Sequence, residues 1–420
     1  MESKMKPPNN CLYAHSGGIS SALNATASGV IGAAQKSMAI DKILAPKHGL
    51  PGLISGEIFD VTHLTGEQLN RLYHTPSSVF GSSRFKLPTF NEYPEIYHQI
   101  HQILLKHQIG FFIYNGGGDS QDTTLKLAQF FKSINAPILC IGIPKTIDND
   151  LPVTHYCPGY GSCAKYVATS ILEATLDIRA VHPSSTKVFI LEVMGRNSGW
   201  LAAASALARS HDPDAPHMIL LPERAQTLNA VIKKIKQHVD HRGFCTIVVA
   251  EGFTLQNSPL SDKIKSIESC PFGHKQLGGI AHNMSKMIKN MLNLKTRFTN
   301  ADYLQRAAGH IASKTDLDIA YAAGKKSINL LEQGINQVMV TISQSGLSHC
   351  PLKDVANIEK QLPDEFISAC GMDVTKQFID YATPFITGIL NSNHHSGLPN
   401  YFKHNELYAL HAQETTHEHD

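Results

Sequence analysis

At 420 residues, the chain is long enough for two or three domains, each with its own core. Its 42% apolar and 17% charged residues are globular values that exclude a disordered chain. Lys and Arg (37) nearly balance Asp and Glu (35), leaving a formal charge of +2, so no global field gathers nucleic acid or an anionic membrane. Any anion has to be bound locally.

Residues 1–10 are polar, with two prolines, and lack the apolar run of a signal peptide. Residues 12–15 predict a first strand, followed by Ser16-Gly17-Gly18 and a helical period over 21–35. A second strand is predicted at 111–114, then Gly116-Gly117-Gly118-Asp119-Ser120 and a helix over 121–134. The strand predicted at 138–143 runs into Pro144-Lys145-Thr146-Ile147-Asp148-Asn149-Asp150 and is followed by a helix over 163–181. Strands at 188–193, 217–221 and 246–250 then alternate with helices at 198–210, 228–240 and 280–292, and a last strand falls at 338–342. This alternation predicts an α/β chain with parallel sheet covered by helices on both faces.

No apolar run approaches the ~20 residues that span a bilayer, and the eight cysteines form no C-x-x-C pair. The expectation is a soluble cytoplasmic protein with reduced, mostly buried thiols. The histidines near the end (His394, His395, His404, His411, His417, His419) sit among polar residues without metal-ligand spacing, which favours a solvated tail.

Ligands of open parallel sheets bind beyond the carboxyl ends of the strands. Three loops rich in glycine or charge follow the strands predicted at 12–15, 111–114 and 138–143, and would converge on one cleft. Glycine turns that open helices let backbone N–H groups approach an oxyanion, although each turn alone fits a plain tight turn equally well. The segment 144–150 says more, because it packs a cation, a hydroxyl, an amide and two carboxylates together. Phosphoryl transfer needs a proton acceptor for the attacking hydroxyl, metal ligands, and a cation at the leaving oxygen. Asp148, Asp150 and Lys145 could supply these.

These segments, with Gly81-Ser82-Ser83-Arg84, Met194-Gly195-Arg196, Glu251 and Tyr303-Leu304-Gln305-Arg306, follow an order that resembles the 6-phosphofructokinases over roughly residues 10–345. In detail the chain resembles their diphosphate-dependent branch, and Pro158-Gly159-Tyr160-Gly161-Ser162 adds to that likeness. The resemblance implies two Rossmann-like three-layer α/β/α domains with mostly parallel sheets and the active site in the cleft between them. Residues 8–157, rejoined by part of 305–390, would carry diphosphate; 158–304 would carry fructose 6-phosphate; 391–420 would be the polar tail.

The implied reaction is reversible phosphoryl transfer from diphosphate to the 1-hydroxyl of fructose 6-phosphate, with Mg²⁺ as cofactor. By the same likeness, Asp148 is the proton acceptor and Thr146 faces the reacting phosphate. Gly18, Gly117, Gly118 and Lys145 hold diphosphate, while Arg84, Met194, Gly195, Arg196, Glu251, Tyr303 and Arg306 hold the sugar phosphate. Lys187 and Arg297 match residues that reach the sugar phosphate across a subunit interface, implying a homodimer or homotetramer.

Donor choice is carried by two positions. Lys145 stands where ATP-using relatives usually have glycine, and its ammonium can neutralise a diphosphate leaving group. Asp119 is either a Mg²⁺ ligand, with Asp150, or a carboxylate placed against the α-phosphate of ATP; the register of the glycine loop allows both. In the second role, like charges at ~4 Å and an effective dielectric near 20 repel by about 4 kcal/mol. The competing readings are an ATP-dependent 6-phosphofructokinase and a non-catalytic sugar-phosphate-sensing subunit of the same fold, the latter disfavoured by the presence of Asp148.

Overall fold

The structure is a computed structural model that describes residues 8–256, 279–390 and 394–408. The chain first lays down β1 (Asn10–His15), β2 (Ile43–Pro46), β3 (Ile58–Asp60), β4 (Ile109–Gly116) and β5 (Leu139–Pro144). It then builds a separate sheet from β6 (Val188–Val193), β7 (Met218–Leu220), β8 (Cys245–Ala250) and β9 (Thr296–Asn300). Finally it returns to the first sheet with β10 (Val338–Ser343) and β11 (Gly346–Pro351).

The first sheet has the order β11-β10-β5-β4-β1-β2-β3 and is parallel except at its ends, where β11 and β3 pair antiparallel. The second has the order β9-β6-β8-β7 and is parallel throughout. Every residue of β1, β8 and β7 is buried, as strands covered on both faces by helices require. That is why their near-continuous apolar runs were legible.

Lys314–Glu332, a 19-residue helix, brings the chain back and packs on the helix Leu23–Ala34. Their approach depends on small residues: a Cβ on Gly29 would lie 2.1 Å from the Tyr321 carbonyl oxygen, and one on Gly324 2.3 Å from that of Thr26. The returning helix also supplies buried Asp316, whose carboxylate accepts the Gly159 and Ser162 N–H groups (2.9 and 2.8 Å) and the Tyr156 hydroxyl. It thereby satisfies the free donors at the start of Tyr160–Val181, the helix that leads into the second sheet.

The predicted strands and helices are present, with corrections. The segment 198–210 is not one helix: Trp200–Ala204 is α-helical and Ser205–Ser210 tightens to 3₁₀. Ser205 and Ser210 hydroxyls donate to the carbonyls three residues back (Ala202 at 2.5 Å, Leu207 at 2.9 Å), competing with the wider turn. The prediction also passed over β2, β3, β9, β11 and the helix Lys314–Glu332.

Six of the seven described cysteines are buried thiols and Cys370 is an exposed one; Cys270 lies outside the described residues. Of the histidines near the end, His394 and His395 are exposed, whereas His411, His417 and His419 fall outside the described residues. The chain around His404 does not run free. Phe402 and Leu407 are buried in the first core, and Arg71 donates twice to the Glu406 carboxylate at 2.8 and 2.6 Å. No helix of the described residues is long and apolar enough to cross a membrane.

Candidate active site

In the first sheet β1 lies between β2 and β4, so the strand order reverses there and the loops after β1 and β4 part. The turn after β1 is tied to the Gly81–Arg84 segment: Gly17, at φ +76°, donates its N–H to the Ser83 carbonyl and accepts from the Ser82 hydroxyl (2.9 and 2.8 Å). After β4, the helix Gly118–Ser133 starts directly. Ser120 is buried with its hydroxyl close over Gly116, where a Cβ would sit 2.0 Å away. A Cβ on Gly118 would meet nothing within 4 Å. Asp119, exposed in the first helical turn, is the first side chain of this loop to face the cleft, next to the free N–H groups of the helix start.

Lys145 follows β5 with only 3% of its surface exposed, and its ammonium donates to the Gly18 carbonyl, joining two of the three loops. Burial above all, then the Arg306 and Arg84 charges, pushes its pKa down to about 7, against the pull of Asp148 and Asp150. Asp148 is displaced oppositely. Burial and the neighbouring Asp150 and Glu251 carboxylates raise it to about 7, with Lys145 and Arg196 working the other way. Asp150 is also raised, chiefly by burial. Between the two, Asn149 is fully buried in the left-handed region (φ +52°), and its Oδ1 accepts the Cys157 N–H at 2.9 Å. The Thr146 hydroxyl accepts the Asp148 N–H at 3.0 Å.

The second sheet forms the opposite wall, again from the carboxyl ends of its strands. Gly195, at φ +135°, makes the turn after β6, where a Cβ would lie 2.5 Å from the Ser198 carbonyl oxygen. That turn presents Arg196 toward Glu251, which follows β8 and whose pKa burial raises and Arg196 lowers. Beyond β9, Gln305 accepts the Met194 N–H through Oε1 (3.3 Å), and the Arg306 guanidinium lies 3.9 Å over the Tyr303 ring. Among the described residues, the buried Nε atoms of Arg196 and Arg306 have no hydrogen-bond partner in the protein. Both guanidiniums thus keep donor capacity for an anion.

These walls enclose a cleft of about 350 Å³. It brings together Gly18, Arg84, Gly117, Gly118, Asp119, Lys145, Thr146, Asp148 and Asp150 from the first unit with Met194, Arg196 and Glu251 from the second, and Arg306 beside Gly18. Gly195 works through its backbone turn, and Tyr303, 63% exposed, is not part of the lining. Lys187 and Arg297 are not brought in at all. Lys187 precedes β6 and Arg297 pairs with Phe189 near its start, whereas Met194 follows the end of β6. At about 3.3 Å per residue, those separations are roughly 23 Å for Lys187 and roughly 17 Å for Arg297 along the strand.

The lining also includes Asn197, Ser198 and Glu359, which sequence reasoning missed. Asn197 Nδ2 donates to Glu359 at 2.9 Å, joining the turn after Arg196 to a segment far down the chain. Asn197 could have been found as the neighbour of Arg196. Glu359 stands among residues with no periodicity and gave no signal.

Two α/β units closing on a buried ammonium, paired carboxylates and guanidiniums with free donors define a phosphoryl-transfer enzyme. The chain belongs to the phosphofructokinase family: the family model described as Phosphofructokinase matches residues 10–331. It is 42% identical over 400 residues, 93% of this chain and 95% of the relative, to the pyrophosphate–fructose 6-phosphate 1-phosphotransferase of Halomonas elongata. A protein of the same name from Xanthomonas campestris pv. campestris is also 42% identical, over 401 residues, with 93% and 95% covered. Among solved structures, the pyrophosphate-dependent phosphofructokinase from Marinobacter aquaeolei matches with a TM-score of 0.85 at 39% identity, covering 94% of this chain and 96% of that one.

Proposed function

We propose that this chain transfers a phosphoryl group from diphosphate to the 1-hydroxyl of fructose 6-phosphate, giving fructose 1,6-bisphosphate and phosphate, and catalyses the reverse. One observation carries the reading: a buried lysine ammonium, joined to the Gly18 carbonyl, shares the cleft floor with the Asp148 carboxylate. In this role Asp148 takes the proton of the sugar hydroxyl, and burial has brought its pKa to where a carboxylate accepts a proton effectively near neutrality. Lys145, with the glycine turns at Gly18, Gly117 and Gly118, neutralises the diphosphate, and so the phosphate that leaves. Arg196 and Arg306 take the sugar phosphate through their unpaired donors, and Glu251 lies beside Arg196 to orient the sugar.

Asp119 and Asp150 line the cleft and present hard oxygen donors, although no group of three or more metal-ligating side chains stands ready among the described residues. Two carboxylates completed by phosphate oxygens suit Mg²⁺, which these residues would hold. When bound, the ion supplies charge neutralisation on the phosphate oxygens. Asp119→Gly is expected to raise the Mg²⁺ concentration for half-maximal rate at least about tenfold without conferring ATP use. Titration of Mg²⁺ with each donor measures both effects. New ATP turnover at an unchanged Mg²⁺ requirement would assign Asp119 to donor exclusion instead.

Lys187 and Arg297 are read as serving a neighbouring copy's cleft, since they lie at the opposite end of the sheet from their own. This makes the working enzyme at least a homodimer. The defining experiment is product formation by the purified protein with Mg²⁺, fructose 6-phosphate and each donor in turn. Fructose 1,6-bisphosphate is expected with diphosphate and none with ATP; the opposite pattern would overturn the donor assignment, and binding without turnover would overturn the enzyme.

A further inference from the structure

The segment 146–150 is held from behind as well as from its own hydrogen bonds. Asn149 is fully buried and turns its side chain away from the cleft, and both ends of its amide are used. Oδ1 accepts the Cys157 N–H, and Nδ2 donates to the Tyr381 hydroxyl at 2.8 Å. That hydroxyl in turn donates to the His155 carbonyl at 2.6 Å, so its donor and one acceptor lone pair are committed. Tyr381 belongs to the helix Lys376–Ala382, more than 200 residues after the loop it touches. Its ring is fixed by His155 (4.7 Å between centroids), Phe366 (5.3 Å), Trp200 (5.4 Å) and Phe385 (5.4 Å).

The left-handed backbone of Asn149 sets the relative directions of its two neighbours, Asp148 and Asp150, both of which line the cleft. Whatever fixes the Asn149 amide therefore fixes the aim of both carboxylates. We propose that Tyr381 is a positioning residue for phosphoryl transfer: through Asn149 its hydroxyl holds Asp148 and Asp150 in their working directions. The inference rests on the function proposed above, and it adds a residue that touches neither substrate.

Tyr381→Phe keeps the ring and its packing and removes only the hydroxyl, leaving the Asn149 amide and the His155 carbonyl without their shared partner. Because a displacement of about 1 Å at a reacting group can cost a hundredfold, kcat is expected to fall at least about tenfold, with KM for fructose 6-phosphate within about twofold of the parent. Phe59→Leu, which loosens the core at the far edge of the first sheet and leaves Tyr381 untouched, provides the comparison: its melting temperature falls while its kcat stays within about twofold.

The assignment is overturned if Tyr381→Phe retains kcat within about twofold, if its loss is confined to KM, or if Phe59→Leu loses turnover equally. Absence of turnover by the parent protein with diphosphate would instead refute the proposed reaction, so the two failures are distinguishable.

Discussion

Turnover of the Asp148→Asn variant is expected to fall about a thousandfold, with KM for fructose 6-phosphate staying within a few-fold of the parent. The amide matches the carboxylate in shape, so packing against Lys145 and the Thr146 turn is preserved while the proton acceptor is lost. Positioned proton transfer contributes about 10²–10⁴ to enzymatic rates, which brackets the expected loss. The parent's pH dependence supplies the sign. A carboxyl raised to about 7 by burial and its acidic neighbours is a base only when deprotonated, so kcat of the parent falls as pH drops through that region. The variant has no such limb. Steady-state rates from about pH 5.5 to about pH 9 test this, and a variant within tenfold of the parent would remove Asp148 from proton transfer.

Lys145→Gly is expected to lose roughly two to three orders of magnitude in diphosphate turnover, the range seen when one preorganised donor to a developing oxyanion is removed. Binding of fructose 6-phosphate, followed calorimetrically without diphosphate, is expected to change little, because Lys145 is joined to the Gly18 carbonyl whereas Arg196 and Glu251 follow strands of the second sheet. The pH dependence again follows from the site. A lysine whose pKa is depressed to about 7 loses its charge as pH rises, so kcat/KM for diphosphate in the parent declines on the alkaline side. That decline is absent from the variant. Weakened sugar binding with intact turnover would mean that Lys145 does not act on the donor.

The parts of this fold that were legible in the sequence are those buried on both sides. β1, β4, β5, β6 and β8 read directly because burial on both faces leaves only apolar residues to choose from. β9 went unread for the converse reason: Thr296–Asn300 is an edge strand whose residues are largely exposed, so its sequence carries neither a run nor an alternation. The site followed the same division. Lys145, Asp148 and Asp150 stood out because three charges in one short loop after a buried strand need a ligand to justify them. Glu359 and Tyr381 did not, because each acts on a residue distant in sequence, and such pairings are invisible until the chain is folded.

The return of the chain to its first sheet bears on how the protein is made. β5 leaves the ribosome about 190 residues before β10, its neighbour in the finished sheet. At about 5–20 residues per second, its outer edge stays unpaired for roughly 10–40 s. The second sheet draws all its strands from Val188 to Asn300, so its longest wait, that of β6 for β9, is about half as long. In a growing chain the unit begun first is thus the one completed last, and the bare edge of β5 is where a nascent chain is most open to pairing with another molecule.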